Sequence, residues 1–270
     1  MIAELPMLDR PIEVHLDHLS YSAIKTFQTC PRQFLFRYIL HLPDELVGSS
    51  LVFGTSLHRA VEAHFRCLME DEKLPDLDTL LGVFWDAWQA EAKPIKFNKN
   101  EDLSVIGSLA DRMLRVFQTS DFARPEGRII GIEETLRGAF APDCPDFVAR
   151  VDLLIETDDV LTVTDFKTSR SKWNPAKVND AKSQLLVYSD LSEDMADGRP
   201  VQLNFAVLTK GKKPDLTQHP VLWDDDQVEQ TRQTVVEIWE AIQNGVVFPN
   251  PSFAHCPRCP YQSACQNWRG

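Results

Sequence analysis

The chain has 270 residues, 43% of them hydrophobic and 25% charged, the balance of a soluble globular protein rather than of a disordered or membrane-embedded one. Its formal charge of −12 argues against a general polyanion binder, because phosphate affinity comes from clustered Lys and Arg. No run approaches the roughly 18 apolar residues of a membrane span, and Glu4, Asp9 and Arg10 break a signal-peptide layout, so a cytoplasmic location is expected.

Residues 1–18 read as an irregular lead-in containing Pro6 and Pro11. Ser20 or Ser22 can cap a helix in which Ile24, Phe27, Phe34, Tyr38 and Leu42 recur at helical spacing before Pro43, with Cys30 carried in that stretch. Gly54-Thr55-Ser56 is expected to open a second helix, with Leu57, Val61, Phe65 and Leu68 as its apolar face and His58 and Glu62 one turn apart beside it. Two more helices are expected over 76–92 and 102–117, anchored by Trp85, Trp88, Met113 and Phe117, so that 19–127 forms an N-terminal helical region. The pattern then changes to strands over 128–140, in the hairpin described below, over 201–209 and more weakly over 216–223. Asn174-Pro175 starts a helix that should run to about Asp190. These elements make 128–223 a sheet-and-helix core. A last helix over 226–244 closes on Gly245, and the segment 224–270 ends in a cysteine block.

The segment 148–168, VARVDLLIETDDVLTVTDFKT, is the part of the chain that promises chemistry. Alternation on both sides of Thr157-Asp158-Asp159 predicts a hairpin. A two-residue loop at Asp158-Asp159 pairs 157 with 160, 155 with 162 and 152 with 165, setting Asp152 opposite Asp165 on one face, with Lys167 on the same face two residues on. Opposed Cβ atoms lie roughly 4.5 to 5.5 Å apart, where two like charges destabilise a bare hairpin. One hard cation shared by the two carboxylates reverses that sign. Just beyond, from Asp165 to Lys213, basic residues outnumber acidic ones, so a nucleic-acid track would begin there; a solvated helix face is the plainer alternative.

Six cysteines fall at 30, 67, 144, 256, 259 and 265. Cys67, beside Phe65 and Leu68, reads as core, and Cys144 as a loop residue. Cys256, Cys259 and Cys265 form a compact C-x2-C-x5-C block, rich in Pro and polar residues, that thiolate ligation of a metal would hold. Cys30-Pro31 repeats the Cys256-Pro257 pattern and makes Cys30 the candidate fourth ligand. His255 could replace one thiolate in a zinc site, which keeps Zn²⁺ as the alternative to iron and sulfur.

In order along the chain stand Cys30 after a Ser-x-Ser helix start, Gly54-x3-His58, Asp152-x12-Asp165-x-Lys167, Gln184-x3-Tyr188 and the cysteine block. This order resembles the RecB-type branch of the PD-(D/E)XK nuclease superfamily, and within it iron-sulfur members such as the AddB nuclease domain and the CRISPR adaptation nucleases. The resemblance spans about Leu19 to Cys265. It implies an α/β fold, with a restriction-endonuclease-like central mixed β-sheet flanked by helices, an N-terminal helical region, and an iron-sulfur subdomain joining both termini. It also implies Asp152, Asp165 and Lys167 as catalytic residues, with His58, Asp152 and Asp165 holding Mg²⁺ or Mn²⁺. Cys30, Cys256, Cys259 and Cys265 would hold a [4Fe-4S] cluster, and Gln184 and Tyr188 would contact DNA. The sequence departs from the pattern at Ala149-Arg150-Val151, where a glycine is common, and uses Asp165 where glutamate is more widespread. Glu133 and Glu134, on the preceding strand, are further carboxylates left outside this set. The implied activity is metal-dependent exonucleolytic hydrolysis of single-stranded DNA or duplex ends, in recombination, repair or DNA processing, alongside a helicase or recombination partner. The alternative is a non-catalytic DNA-end-binding scaffold with a structural metal cluster.

Overall fold

The computed structural model describes residues 14–268. Ser20 caps α1 (Tyr21–Thr29), accepting the Ala23 N–H. The single helix expected through Leu42 does not form. Pro31 disfavours helical backbone at the residue before it, and Cys30 is extended at φ −162°. The chain restarts as α2 (Pro31–Phe34) and ends in a wide π-type turn over Leu35–Ile39. Cys30 therefore stands at a corner between helices.

A two-residue parallel pair, β1 (Val47–Gly48) and β2 (Ile95–Lys96), interrupts the region expected to be all helical. The second helix, α3 (Ser49–Met69), begins five residues before Gly54, which lies inside it. Asp76 caps α4 (Leu77–Gln89) and Asp102 caps α5 (Leu103–Gln118), each accepting a first-turn N–H.

The central sheet runs β3-β4-β5-β6-β7, comprising β3 (Arg128–Gly138), β4 (Phe147–Glu156), β5 (Leu161–Ser169), β6 (Val201–Thr209) and β7 (Leu216–Val221). All neighbours are antiparallel except β5 and β6. That parallel pair needs a crossover, made by α6 (Pro175–Ala181), α7 (Ser183–Leu191) and α8 (Glu193–Ala196), the expected single helix being broken at Lys182. The chain closes with α9 (Asp225–Gln243), ended by Gly245 at φ +73°, and the short α10 (Gln262–Asn267).

Apolar side chains cover both faces of the sheet. On one, α1, α7 and α9 pack Phe27, Leu185 and Trp239 against Val163, Phe205 and Val207. On the other, α3, α4 and α5 pack Leu57, Phe84 and Met113 against Leu153, Phe166 and Ala206. The result is a three-layer α/β/α architecture around a mixed five-stranded sheet. A small third cluster joins Leu35 and Phe36 of the π-type turn to Tyr261 and Trp268 of the C-terminal tail. Among the described residues, no helix is long and apolar enough to cross a membrane.

Candidate active site

The hairpin forms in the register the alternation predicts. Glu156 pairs with Leu161, Ile155 with Thr162 and Leu153 with Thr164, and the Thr157 N–H donates to the Val160 carbonyl. The ladder stops just where Asp152 would face Asp165. There Asp152 Oδ2 accepts the Phe166 N–H at 2.6 Å, so a side chain replaces the next backbone partner. The alternation of β4 slips at this point: Leu153 and Ile155 pack on the α3 layer, whereas Ala149 and Val151 pack on the α1/α7 layer.

The neighbouring strand has its own irregularity. Ile132 pairs with Leu153 and Glu134 with Val151, which brings Glu133 opposite Asp152. Glu133 has φ +53°, a left-handed conformation in mid-strand that costs on the order of 1–3 kcal/mol and that the sheet on either side must enforce. The carboxylates of Glu133 and Asp152 and the imidazole of His58 each offer a ligand atom, all within 4.8 Å of one another. His58 reaches them from α3, its Nδ1 3.7 Å from Asp152 Oδ1 and its ring edge-on to Phe166 at 5.0 Å between centroids. The sequence reading left Glu133 aside. The signal for it was an acid directly across from Asp152, just after a register shift at Gly131, and it becomes visible only once β3 is paired.

Asp165 and Lys167 point to the α7 side. Asp165 is 2% exposed; Lys167 Nζ donates to its Oδ1 at 3.0 Å and lies 2.7 Å from Oδ2, an oxygen that has no hydrogen bond of its own. The same Nζ donates to Gln184 Oε1 at 2.9 Å, and Gln184 Nε2 donates to the Tyr188 hydroxyl at 2.6 Å. Gln184 and Tyr188 thus join the lysine in one network. Tyr188 is 5% exposed and bound from inside, so Gln184 is the one of the two that fronts the opening.

Charge is arranged accordingly. Burial pushes the Asp152 carboxyl well above its ordinary range, and the Asp165 charge adds to this. Burial likewise raises Asp165, against the pull of Lys167, and raises Glu133, against the pull of its ion pair with Arg150. Burial opposes the Lys167 charge, but Asp165 outweighs it and holds the ammonium charged above its usual range. Burial and the Lys167 charge push His58 down to about 4, leaving a neutral imidazole, the form that ligates metals. Acids that resist ionising, gathered with a neutral imidazole within 4.8 Å, fit a divalent cation.

The sequence profile of the PD-(D/E)XK nuclease superfamily matches residues 18–266. The chain belongs to that superfamily. No curated protein matches it. A solved structure from Eubacterium rectale, described as a candidate exonuclease, shares 16% identity and covers 94% of this chain and 89% of its own, with a TM-score of 0.55. At that identity the likeness speaks for the fold alone. A second solved chain, SSO0001, is looser, at TM-score 0.35 and 14% identity, with 83% and 87% covered.

Away from the hairpin cluster, Cys30, Cys256, Cys259 and Cys265 line one cavity of about 340 Å³ between α2 and the C-terminal tail. The Asn250 N–H points at Cys30 Sγ (3.5 Å) and the Ser252 N–H at Cys256 Sγ (3.2 Å). Burial raises the Cys259 thiol, with the other three cysteines close enough to raise it further. No three of these sulfurs lie within 4.8 Å of one another among the described residues. Tetrahedral zinc, with bonds of about 2.3 Å, holds its sulfurs roughly 3.8 Å apart. His255, the alternative zinc ligand, has Nε2 2.9 Å from the Asn250 carbonyl. Cys67 and Cys144 lie outside the cavity lining.

Proposed function

We propose that the chain is a metal-dependent deoxyribonuclease that hydrolyses phosphodiester bonds in single-stranded DNA or at duplex ends. The observation that carries this reading is the cluster of Asp152, Glu133 and His58, each offering a ligand atom within 4.8 Å of the others, on the strands that also carry the buried Asp165–Lys167 ion pair. His58, Asp152 and Asp165 would hold Mg²⁺ or Mn²⁺, with Glu133 in reach; an imidazole in the set favours Mn²⁺ among the hard cations. Such an ion lowers the pKa of the attacking water and polarises the scissile phosphate. Lys167 orients that water or offsets the charge that builds on the phosphoryl oxygens, and Asp165 keeps Nζ aimed. Gln184 steadies the lysine from the other side and fronts the DNA strand, while Tyr188 fixes the amide that does so. The test is degradation of end-labelled DNA with Mg²⁺ or Mn²⁺ by wild type, Asp165→Ala and Lys167→Ala. Equal activity in all three would end the reading.

We further propose that Cys30, Cys256, Cys259 and Cys265 hold a [4Fe-4S] cluster. A cubane presents its thiolates on separate irons, which suits sulfurs that share a cavity without crowding one another, and backbone N–H groups directed at thiolate sulfur support it. Its role would be a clip between α2 and the tail, where it adds folding free energy. Protein purified without oxygen should be brown. A colourless, zinc-containing sample would refute the iron assignment.

A further inference from the structure

One guanidinium stands at the edge of the carboxylate cluster. Arg150 lies two residues before Asp152 on β4, and Ala149 and Val151, which alternate with them, pack on the α1/α7 layer, so Arg150 and Asp152 project together to the α3 side. Arg150 is ion-paired to Glu133 of β3. The pair runs diagonally between the two strands, since Arg150 stands opposite Thr135 and Glu133 opposite Asp152. The Arg150 side chain is 53% exposed and that of Glu133 13%, so the pair has one end in the site and the other in solvent. After burial and the Lys167 charge, Arg150 and Arg59 also press the His58 imidazole toward its neutral form, which puts both guanidiniums within electrostatic reach of the cluster.

Glu133 has two claimants. Its carboxylate pairs with Arg150, and it is also one of the three groups, with His58 and Asp152, whose ligand atoms lie within 4.8 Å of one another. A divalent cation bonded directly to a carboxylate oxygen displaces a guanidinium that stands half in water and is screened by it. The other acid lining this corner cannot take the guanidinium over. Glu62, one turn beyond His58 on α3, is held at both oxygens, by Arg59 at 2.7 Å and by Arg66 at 2.7 Å. Once Glu133 and Asp152 balance the two charges of a cation, Arg150 keeps a free fork of donors at the rim of the site. That fork matches two oxygens of one phosphate group.

We propose that Arg150 is a phosphate-binding residue of this site, and that its pair with Glu133 is a latch that the divalent cation opens by taking over the Glu133 carboxylate. The inference rests on the nuclease reading above and deepens it. An unloaded site offers the DNA strand a neutralised guanidinium beside unbalanced acids, which repel phosphate. A loaded site offers a cation and a free guanidinium together. Cation binding therefore precedes tight phosphate binding, and by linkage DNA tightens the cation by the same factor as the cation tightens DNA.

The test pairs two binding measurements on wild type, Arg150→Gln, Arg150→Lys and Glu133→Gln, with matching far-UV circular dichroism and melting temperatures establishing that all four fold. Fluorescence anisotropy follows a labelled single-stranded oligonucleotide in Ca²⁺ and in chelator, and calorimetry follows Mn²⁺ binding with no DNA present. In Ca²⁺, Arg150→Gln should bind the oligonucleotide at least about fivefold more weakly than wild type, and Arg150→Lys, which keeps the charge without the fork, should recover only part of the loss. Without DNA, Arg150→Gln should bind Mn²⁺ about threefold or more tightly, because the cation no longer competes for Glu133. Glu133→Gln frees Arg150 with no cation present, so its DNA binding in chelator should exceed that of wild type by about threefold or more. Wild-type DNA affinity of Arg150→Gln in Ca²⁺ would overturn the phosphate assignment. Unchanged Mn²⁺ affinity in Arg150→Gln, with unchanged chelator binding in Glu133→Gln, would overturn the latch. If wild type binds no Mn²⁺ and neither binds nor cleaves DNA, the nuclease reading falls and this inference with it, an outcome distinct from an active wild type beside variants of unchanged affinity.

Discussion

The hairpin site and the cysteine cavity are both clusters of metal-ligand residue types, and they are built in opposite ways. The hairpin site sits on continuous sheet with helices on both faces, and it gathers like charges at a cost that the surrounding packing covers. Asp152, Asp165 and Glu133 are all pushed toward their neutral forms by burial, and Glu133 holds a left-handed backbone in mid-strand. The cysteine cavity lies between a π-type turn and an irregular tail whose own apolar support is the small cluster around Leu35, Phe36 and Tyr261. One region spends stability on charge; the other has little stability of its own. Substitutions should therefore separate activity from stability differently in the two places.

The largest effect is expected from Asp152→Asn. The amide oxygen can still accept the Phe166 N–H, while the repulsion from Asp165 disappears. Nuclease activity should fall by about 10²–10³-fold or more, and the melting temperature in chelator should equal or exceed that of wild type. A variant that lost stability along with activity would show the carboxylate to be structural, and the contrast would collapse from that side.

Cys30→Ala should do the reverse. Cys30 and Cys256 are 226 positions apart, so a cluster bound by both closes most of the chain into a loop. Losing that closure should cost on the order of 3–5 kcal/mol, along with the visible absorption. Thermal melting of the anaerobic protein measures the first and its spectrum the second. Activity per folded molecule should change little.

Glu133→Gly combines both currencies at one residue. Glycine adopts φ +53° without strain, so stability should rise by up to about 1 kcal/mol, set against glycine's own loss of freedom in a strand. Cation affinity, read from the Mn²⁺ dependence of cleavage, should fall by about tenfold. A change in neither would remove Glu133 from the site.

Much of the architecture was legible in the sequence because local chemistry dictated it. Asp76, Asp102 and Asn174 cap the helices they precede, and the β6 alternation gives its bounds directly. The hairpin register followed from the loop at Asp158-Asp159 and the period of two. What escaped was set by neighbours. Helix α3 starts after Gly48 with no side-chain cap, so nothing local marked its beginning and Gly54 drew attention instead. Strands β1 and β2, with two residues each, are too short to show a period. Helix α7 buries Leu185, Leu186, Val187 and Tyr188 in succession, so a one-sided pattern could not reveal the break at Lys182. The corner at Cys30 was readable from Pro31, but the recurrence of apolar residues outweighed it. Glu133 enters the site through strand pairing, which no single segment contains.

The smallest expected effect lies where the tail meets the π-type turn. Arg37 Nε donates to the Tyr261 hydroxyl at 3.3 Å and its guanidinium reaches Asp44 Oδ1 at 3.2 Å, while Lys93 Nζ lies 2.8 Å from Asp44 Oδ2. Burial alone would raise the Asp44 carboxyl, but Lys93, Tyr261 and Arg37 together outweigh it and hold it below its ordinary 3.8. A carboxylate with a depressed folded pKa contributes stability that is fully present above the unfolded value and disappears as pH falls through the folded one. Asp44→Asn should thus cost no more than about 1 kcal/mol at neutral pH, since the group is partly exposed, and the gap between variant and wild type should close as pH drops below about 3.8. Denaturant melts across that range measure the gap. A gap that persisted at the lowest pH would mean that Asp44 supports the tail through packing and not through its charge. The tail would then depend still more on whatever its four cysteines hold.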